Sequence, residues 1–266
     1  MRAEYLPEGK IDVEKNTPFG DDAENYDRMR PRYCPELFSA VWDYSGMTAG
    51  ERVLEIGPGT GQATEFFLQK GCRVTAVEKD VRLANYCREK FSEFPGFRVV
   101  NLPFESYEAE EAGFSLVYSA TAFHWVPEET GYPKVHSLLK EGGTLALFWN
   151  SPFPAREDDP LHSEIQRAYR KYRPGEPPRK PKTDRYCSLA LLERYGFSDG
   201  LSQCFFQTRR FDAENYIALL NTYSDHCAMP VEARIRLEEE IRTAIEETGS
   251  MLTVCDMMEL YLAKKR

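Results

Sequence analysis

From Glu51 to Asn150 the chain alternates short β-branched apolar runs with amphipathic stretches. RVLEI, CRVTAVE, FRVVN, FSLVYSA and TLALFWN read as strands. Between them, helices are predicted from Gln62, from Asp80, and from Glu128 to Lys140. Strand–helix alternation of this kind predicts an α/β fold in which crossover helices cover a parallel sheet. Gly71 and the Gly142–Gly143 pair sit just past two of the helices, where a left-handed cap is expected. Asp80 suits the N-cap of VRLANYCREKF, whose Val81, Leu83, Ala84, Cys87 and Phe91 keep a helical period.

The flanks are less regular. Asn16 to Arg32 holds turn formers without a clear period and reads as a polar cover, followed by a helix-like PELFSAVWDYS. Ser151 to Arg185 is rich in proline and basic residues, and at 35 residues it is too long for a plain connection, so it reads as a lid or a mobile insertion. A helix is expected from Ser188 to Tyr195, ended by Gly196, then a strand at QCFFQTRRF. Two more helices follow, Ala213 to Ser224 behind an Asp212 N-cap and Val231 to Thr248, with MLTVCDMMELYLA as the closing strand. The expected organisation is a cover at 1–50, a core at 51–150, a lid and substrate-selecting helical region with the sixth strand at 151–248, and a closing strand at 249–266.

The chain's 266 residues suffice for one large domain with a subdomain. No window approaches the roughly 18 unbroken apolar residues of a membrane span, and the charged start MRAEYLPEGKIDVEK lacks a secretory apolar stretch. These features predict a cytoplasmic protein away from membranes, as a monomer or homodimer. The seven cysteines are never closer than 15 residues, so no local zinc-ligand pair exists, and they are expected to be reduced and buried. None of the four histidines has a ligand-spaced neighbour either, and no metal is expected. A net charge of −9 argues against a surface that coats nucleic acid.

The chemistry concentrates at VLEIGPGTGQATEFF, where an apolar run breaks into three glycines in five residues and then turns helical. In an open parallel sheet, ligands bind beyond the carboxyl ends of the strands. Gly57, Gly59 and Gly61 would let a ligand approach the backbone there. The nicotinamide-dinucleotide fingerprint GxGxxG fails, because its sixth position is Gln62. Glu55, two residues before the first glycine, would repel a pyrophosphate and receive a cationic amino group. Glu78 ends the second strand about 20 residues after the glycines, the spacing at which a carboxylate reaches ribose hydroxyls. A nucleoside with an amino-acid tail fits both acids.

With VLEIGPGTGQ, VTAVEKD, FSLVYSATAFHW and LLKEGGTLALFWN in order, the sequence resembles the class I S-adenosylmethionine-dependent methyltransferases. YDRMRPRY before the core and FHW after the fourth strand make it most similar to the small-molecule branch that includes trans-aconitate-type methyltransferases. The resemblance covers Tyr26 to Asn150 well and the C-terminal third loosely. It implies a Rossmann-like, doubly wound, mostly parallel seven-stranded sheet with a helical N-terminal cover and C-terminal helical insertions. It also implies that the chain transfers a methyl group from S-adenosylmethionine to O, N or C of a small, acidic or neutral metabolite, leaving S-adenosylhomocysteine. Glu55, Gly57, Gly59 and Gly61 would line the methionine part and Glu78 the ribose, with Lys79 beside the adenine. Phe104 and Glu105 would meet the adenine, although Phe104 suits the core equally well. Ala120 and Thr121 would pass the methionine through backbone atoms. Arg30 and Tyr33 are candidates for the cofactor carboxylate or for closing the site. Ser115 stands where many members carry aspartate, and its effect is expected to be structural.

His124 is the candidate catalytic residue, as a base or as a hydrogen-bonding partner of the acceptor, against a structural capping role. Trp125, Trp149 and Asn150 are candidate substrate contacts. Eight basic residues against two acidic ones between Ile165 and Arg185 leave open a lid for acidic metabolites, a patch for RNA such as tRNA, or a solvated loop. A cofactor-binding, non-catalytic subunit is the remaining alternative.

Overall fold

The computed structural model describes residues 23–109, 113–153, 159–173, 186–249 and 251–266. Seven strands form one sheet in the order β3-β2-β1-β4-β5-β7-β6. They are β1 Arg52–Ile56, β2 Arg73–Glu78, β3 Phe97–Asn101, β4 Phe114–Ala120, β5 Leu139–Phe153, β6 Phe197–Phe211 and β7 Leu252–Lys265. The first five run parallel, and β7 inserts antiparallel between β5 and β6. Strand order reverses between β1 and β4, so the crevice that such a sheet offers a ligand opens above those two strands.

Successive residues along the strands face opposite layers. Val53, Val74, Leu116, Tyr118 and Phe148 pack with Leu37, Phe38 and Phe67 on one face, beneath α2 Pro35–Ser45 and α3 Thr64–Gln69. Leu54, Ile56, Val77, Val117, Leu145, Leu147 and Trp149 pack on the other, with Val135 of α5 Glu128–Leu138 and Leu192 of α7 Leu189–Arg194. Asp80 caps α4 Val81–Lys90 by accepting from the amides of Arg82 at 2.8 Å and Leu83 at 3.4 Å.

Three flanking expectations need correction. The polar cover contains helix α1, Ala23–Met29, in which Met29 alone is buried, so there is no apolar period to read. Tertiary contacts hold it instead: Asn25 donates to the Ala218 carbonyl at 3.0 Å, and Asp27 pairs with Lys90 at 2.6 Å. The stretch taken as irregular, Ser151 to Arg185, contains α6 Pro160–Tyr172, capped by Asp159, and its Leu161, Ile165 and Ala168 bury against Leu237, Ile241 and Ile245 of α10 Val231–Glu247. Residues 154–158 and 174–185 of that stretch lie outside the described residues. The helix expected to run to Ser224 ends as α8 Ala213–Leu220, and a short α9 Ser224–Cys227 follows. The break frees the Thr222 carbonyl, which accepts from Arg30 at 2.7 Å.

The cysteines are free, but only Cys34, Cys72, Cys87 and Cys187 are buried; Cys204 is exposed and Cys227 and Cys255 are half-buried. Ser115 lies at the N-terminal edge of the sheet and donates to Glu51 at 2.8 Å, far from the crevice end of its strand. Among the described residues, no helix is long and apolar enough to cross a membrane.

Asp256 of β7 is wholly buried, pairs with Arg209 of β6 and accepts from the Asn150 side-chain amide of β5 at 3.0 Å. This cluster ties three strands together. Asp256→Ala leaves Arg209 without its carboxylate, and chemical denaturation should show a loss of about 3 kcal/mol.

Candidate active site

A cavity of about 560 Å³ opens above the switch between β1 and β4, within the size range of small-molecule sites. Its floor is the turn after β1, where Gly57, Gly59 and Gly61 all have positive φ. The three glycines do different work. A Cβ at Gly57 would sit 2.6 Å from Ala122 Cβ, and one at Gly61 would sit 2.3 Å from the Phe91 ring. At Gly59 the nearest atoms belong to Tyr26 and Gln62, no closer than 3.5 Å, and the residue borders the cavity, so a side chain there would extend into it.

Glu78 holds the turn in place. Its Oε2 accepts from the Gly59 amide at 3.2 Å and its Oε1 from the Asp80 amide at 2.9 Å. Asn101 braces the same strand end by donating to the Glu78 carbonyl at 2.8 Å and the Lys79 carbonyl at 3.1 Å. Burial raises the Glu78 carboxyl above its ordinary pKa.

On the other side of the switch, Thr121 follows β4 with φ of +57°, a conformation that costs a β-branched residue about 1–3 kcal/mol. Several bonds impose it. Its amide donates to the Phe148 carbonyl at 2.8 Å, its hydroxyl meets Tyr33 Oη at 2.7 Å, and the same hydroxyl accepts from the Asn150 amide at 3.1 Å.

Over this floor, Arg30 lies between the rings of Tyr26 and Tyr223, its guanidinium 4.8 Å and 4.7 Å from their centroids. One of its terminal nitrogens is bound to Thr222, and its Nε is buried with no hydrogen-bond partner among the described residues. At the opposite end, Lys79 lies 5.8 Å from the Trp125 ring, beside Phe104 and Glu105.

Residues 53–143 match the family described as "Methyltransferase domain". An uncharacterized methyltransferase of Schizosaccharomyces pombe is 24% identical over 230 residues, which cover 86% of this chain and 87% of that one. An uncharacterized methyltransferase of Mycobacterium tuberculosis is 31% identical over 133 residues, about half of each chain. The solved structure of a putative type II methyltransferase from Anaeromyxobacter dehalogenans shares the fold, with a TM-score of 0.61 and 18% identity over 88% of this chain and 97% of that one. Residues 53–143 are therefore a methyltransferase domain, in a chain similar to methyltransferases over most of its length.

Gly57, Gly59, Glu78, Lys79, Phe104, Glu105, Ala120, Thr121, Arg30, Tyr33, His124, Trp125 and Asn150 all line the one cavity. Phe104 serves both expectations, since it is 4% exposed, packs in the core and still borders the cavity.

Three expected site residues do not line it. Gly61 is a glycine because of Phe91. Trp149 is buried behind the wall, and its indole N–H donates to His124 Nδ1 at 3.1 Å. Glu55 lies wholly buried beneath the turn instead of meeting an ammonium at the strand tip. Its Oε2 accepts from Thr64 Oγ1 at 2.5 Å, and Oε1 has no partner by distance and angle. Burial pushes its carboxyl up to about 7.

The indole contact also bears on His124. A neutral imidazole that accepts at Nδ1 carries its hydrogen on Nε2, so the ring is a donor. This geometry does not suit the base role. Trp125 lines the cavity with its ring 5.8 Å from the Lys79 ammonium.

Sequence reading missed Tyr26, Gln62, Tyr223, Ser224 and Asp225, which line the cavity. Tyr26 and Tyr223 come from α1 and the α8–α9 break, and only the tertiary fold brings them over the turn. Asp225 pairs with Arg173 at 3.0 Å, while Lys171 pairs with Glu240 and Arg167 with Glu164, so three basic residues of the described part of the basic stretch are committed to ion pairs.

Two expectations follow. Gly61→Ala should destabilise the fold by about 2 kcal/mol through its clash with Phe91, measured by denaturant unfolding. A carboxyl whose native pKa exceeds its unfolded value loses stability as pH rises from the unfolded value through the native one. Glu55→Gln should therefore gain stability relative to the parent between about pH 5 and pH 8; a constant difference would contradict an ionising Glu55.

Proposed function

We propose that the enzyme transfers a methyl group from S-adenosylmethionine to an O, N or C atom of a small metabolite. The observation that carries this reading is the lining of the cavity. Glu78 and Lys79 at the end of β2 border it with Phe104 and Glu105 after β3, and Tyr26, Arg30, Tyr223 and Asp225 border it from the cover and the α8–α9 region.

The residues suit the cofactor's chemistry. Glu78, with its oxygens at the cavity edge, would take the ribose hydroxyls. Lys79, Phe104, Glu105 and Trp125 would flank the adenine. Gly57 and Gly59 admit the methionine backbone, with Ala120 and Thr121 opposite. Arg30 offers a planar guanidinium to its carboxylate, and Tyr33 closes the roof through its bond to Thr121. When bound, the cofactor supplies an already activated methyl group.

What the chain contributes is orientation and exclusion of water. Tyr26, Arg30 and Tyr223 cover the cavity from two different parts of the sequence. Asn150, held by Asp256, and Asp225, held by Arg173, form its fixed polar wall. His124, oriented by Trp149, presents an N–H that can hydrogen-bond an acceptor molecule through Nε2. A carboxylate or another group that arrives unprotonated would need no base here.

Lining residues beyond those that suit the cofactor, among them Tyr26, Tyr223, Ser224 and Asp225, favour an enzyme over a purely cofactor-binding subunit. The ion-paired arginines and lysine of α6 favour a small metabolite over RNA.

S-Adenosylhomocysteine should raise the melting temperature; at 100 times its Kd the gain is about 2.7 kcal/mol. No shift at saturating ligand would overturn the cofactor reading. Gly59→Val should abolish the shift while the parent fold persists by circular dichroism. With an acceptor in hand, His124→Ala should lower kcat far more than it weakens cofactor binding.

A further inference from the structure

Two acids flank the glycine turn from below, and among the described residues neither has a cationic side chain bonded to it. Glu78 is held by backbone amides alone in the bonds it makes. Glu55, on the adjacent strand, has one hydroxyl donor and an unpartnered Oε1. Its cross-strand neighbour on β4 is Tyr118, whose own hydroxyl lacks a well-formed hydrogen bond and lies against the same carboxyl.

The groups that act on Glu55 come from every neighbouring element. Thr64 on α3 and Tyr118 on β4 favour its ionised form, Glu78 on β2 opposes it, and Lys90 on α4 favours it through space. The Lys90 ammonium is already bound to Asp27 at 2.6 Å and to the Thr60 carbonyl at 2.9 Å. Cys87 on α4 and Tyr33 before α2 feel the Glu55 charge in turn, and burial keeps both protonated. An ionised Glu55 would thus lack a bonded cation among the described residues, and burial favours its protonated form.

The methyl donor and its product differ at one atom. The donor carries a sulfonium cation where the product has an uncharged thioether, while ammonium and carboxylate are common to both. We propose that Glu55 is the specificity-determining residue that distinguishes them: protonated beneath an empty or product-filled seat, it gives its proton to solvent when the sulfonium donor binds. This rests on the cofactor reading above. No other bond changes, and the same proton returns to Glu55 when the donor has become product. Donor is then favoured over product more strongly as pH rises, because donor affinity follows the ionisation of Glu55 and product affinity does not.

Titration calorimetry on the full chain, with S-adenosylmethionine and S-adenosylhomocysteine, tests this from about pH 6 to about pH 8. The ratio of product Kd to donor Kd should climb about three- to tenfold across that range. In paired buffers of different ionisation enthalpy, donor binding should release a proton and product binding should not. Glu55→Gln should give a flat ratio and no proton release. Tyr118→Phe removes a group that favours the ionised form, so it should move the rise to higher pH, and it serves as the test if Glu55→Gln does not fold. A flat ratio in the parent, or a rise that survives in Glu55→Gln, overturns the proposal. Absence of binding by either ligand at every pH overturns the cofactor reading itself.

Discussion

The hydrogen bond from the Gly59 amide to the Glu78 carboxylate joins the ends of β1 and β2 at the point where the sheet opens. It fixes the glycine turn with its backbone toward the cavity, and it holds a carboxylate at the cavity's edge. The opposite bank is fixed by strain. Thr121 adopts a left-handed conformation because Tyr33, Asn150 and the Phe148 carbonyl all bind it there. Between these two constraints the space is already shaped, so a ligand need not pay to order the walls.

Beneath that surface Lys90 is engaged by Asp27 and the Thr60 carbonyl and bonds to neither acid. Glu55 and Glu78 are both buried, and burial raises both carboxyls. Arg30, by contrast, is a cation on the roof, sandwiched by tyrosines and bound to a carbonyl. Acids below and a positive group above suit a zwitterionic tail with an added cationic sulfur. Two polar groups of the cavity wall are engaged elsewhere, Asn150 with Asp256 and Asp225 with Arg173.

The parallel core was legible because β1, β4 and the middle of β5 are buried on both faces and α4 carries a clean period behind its Asp80 cap. The glycine turn was legible as a ligand seat, though not how its glycines divide the work, since Phe91 and Ala122 are remote from the turn in sequence. Helix α1 was invisible because one buried residue leaves no period. In α6 the signal was present: Asp159 and Pro160 start a helix whose Leu161, Ile165 and Ala168 keep its spacing, and the surrounding prolines and basic residues obscured it. The direction in which Glu55 points was not readable either. Alternation along β1 places it on the face opposite Leu54 and Ile56, under α3, but only the fold shows that Thr64 turns inward to meet it. Tyr26, Tyr223 and Asp225 illustrate the general limit, because a wall built from both ends of the chain has no local signature.

The central claim is that the end of β2 is the nucleoside seat of a methyl donor. A crystal structure with S-adenosylhomocysteine tests it most directly. The account predicts ribose hydroxyls within hydrogen-bonding distance of the Glu78 carboxylate, the adenine beside Phe104, and the amino-acid tail between Gly59 and Arg30. A nucleoside bound elsewhere, or one in this cavity with its ribose away from Glu78, would contradict it.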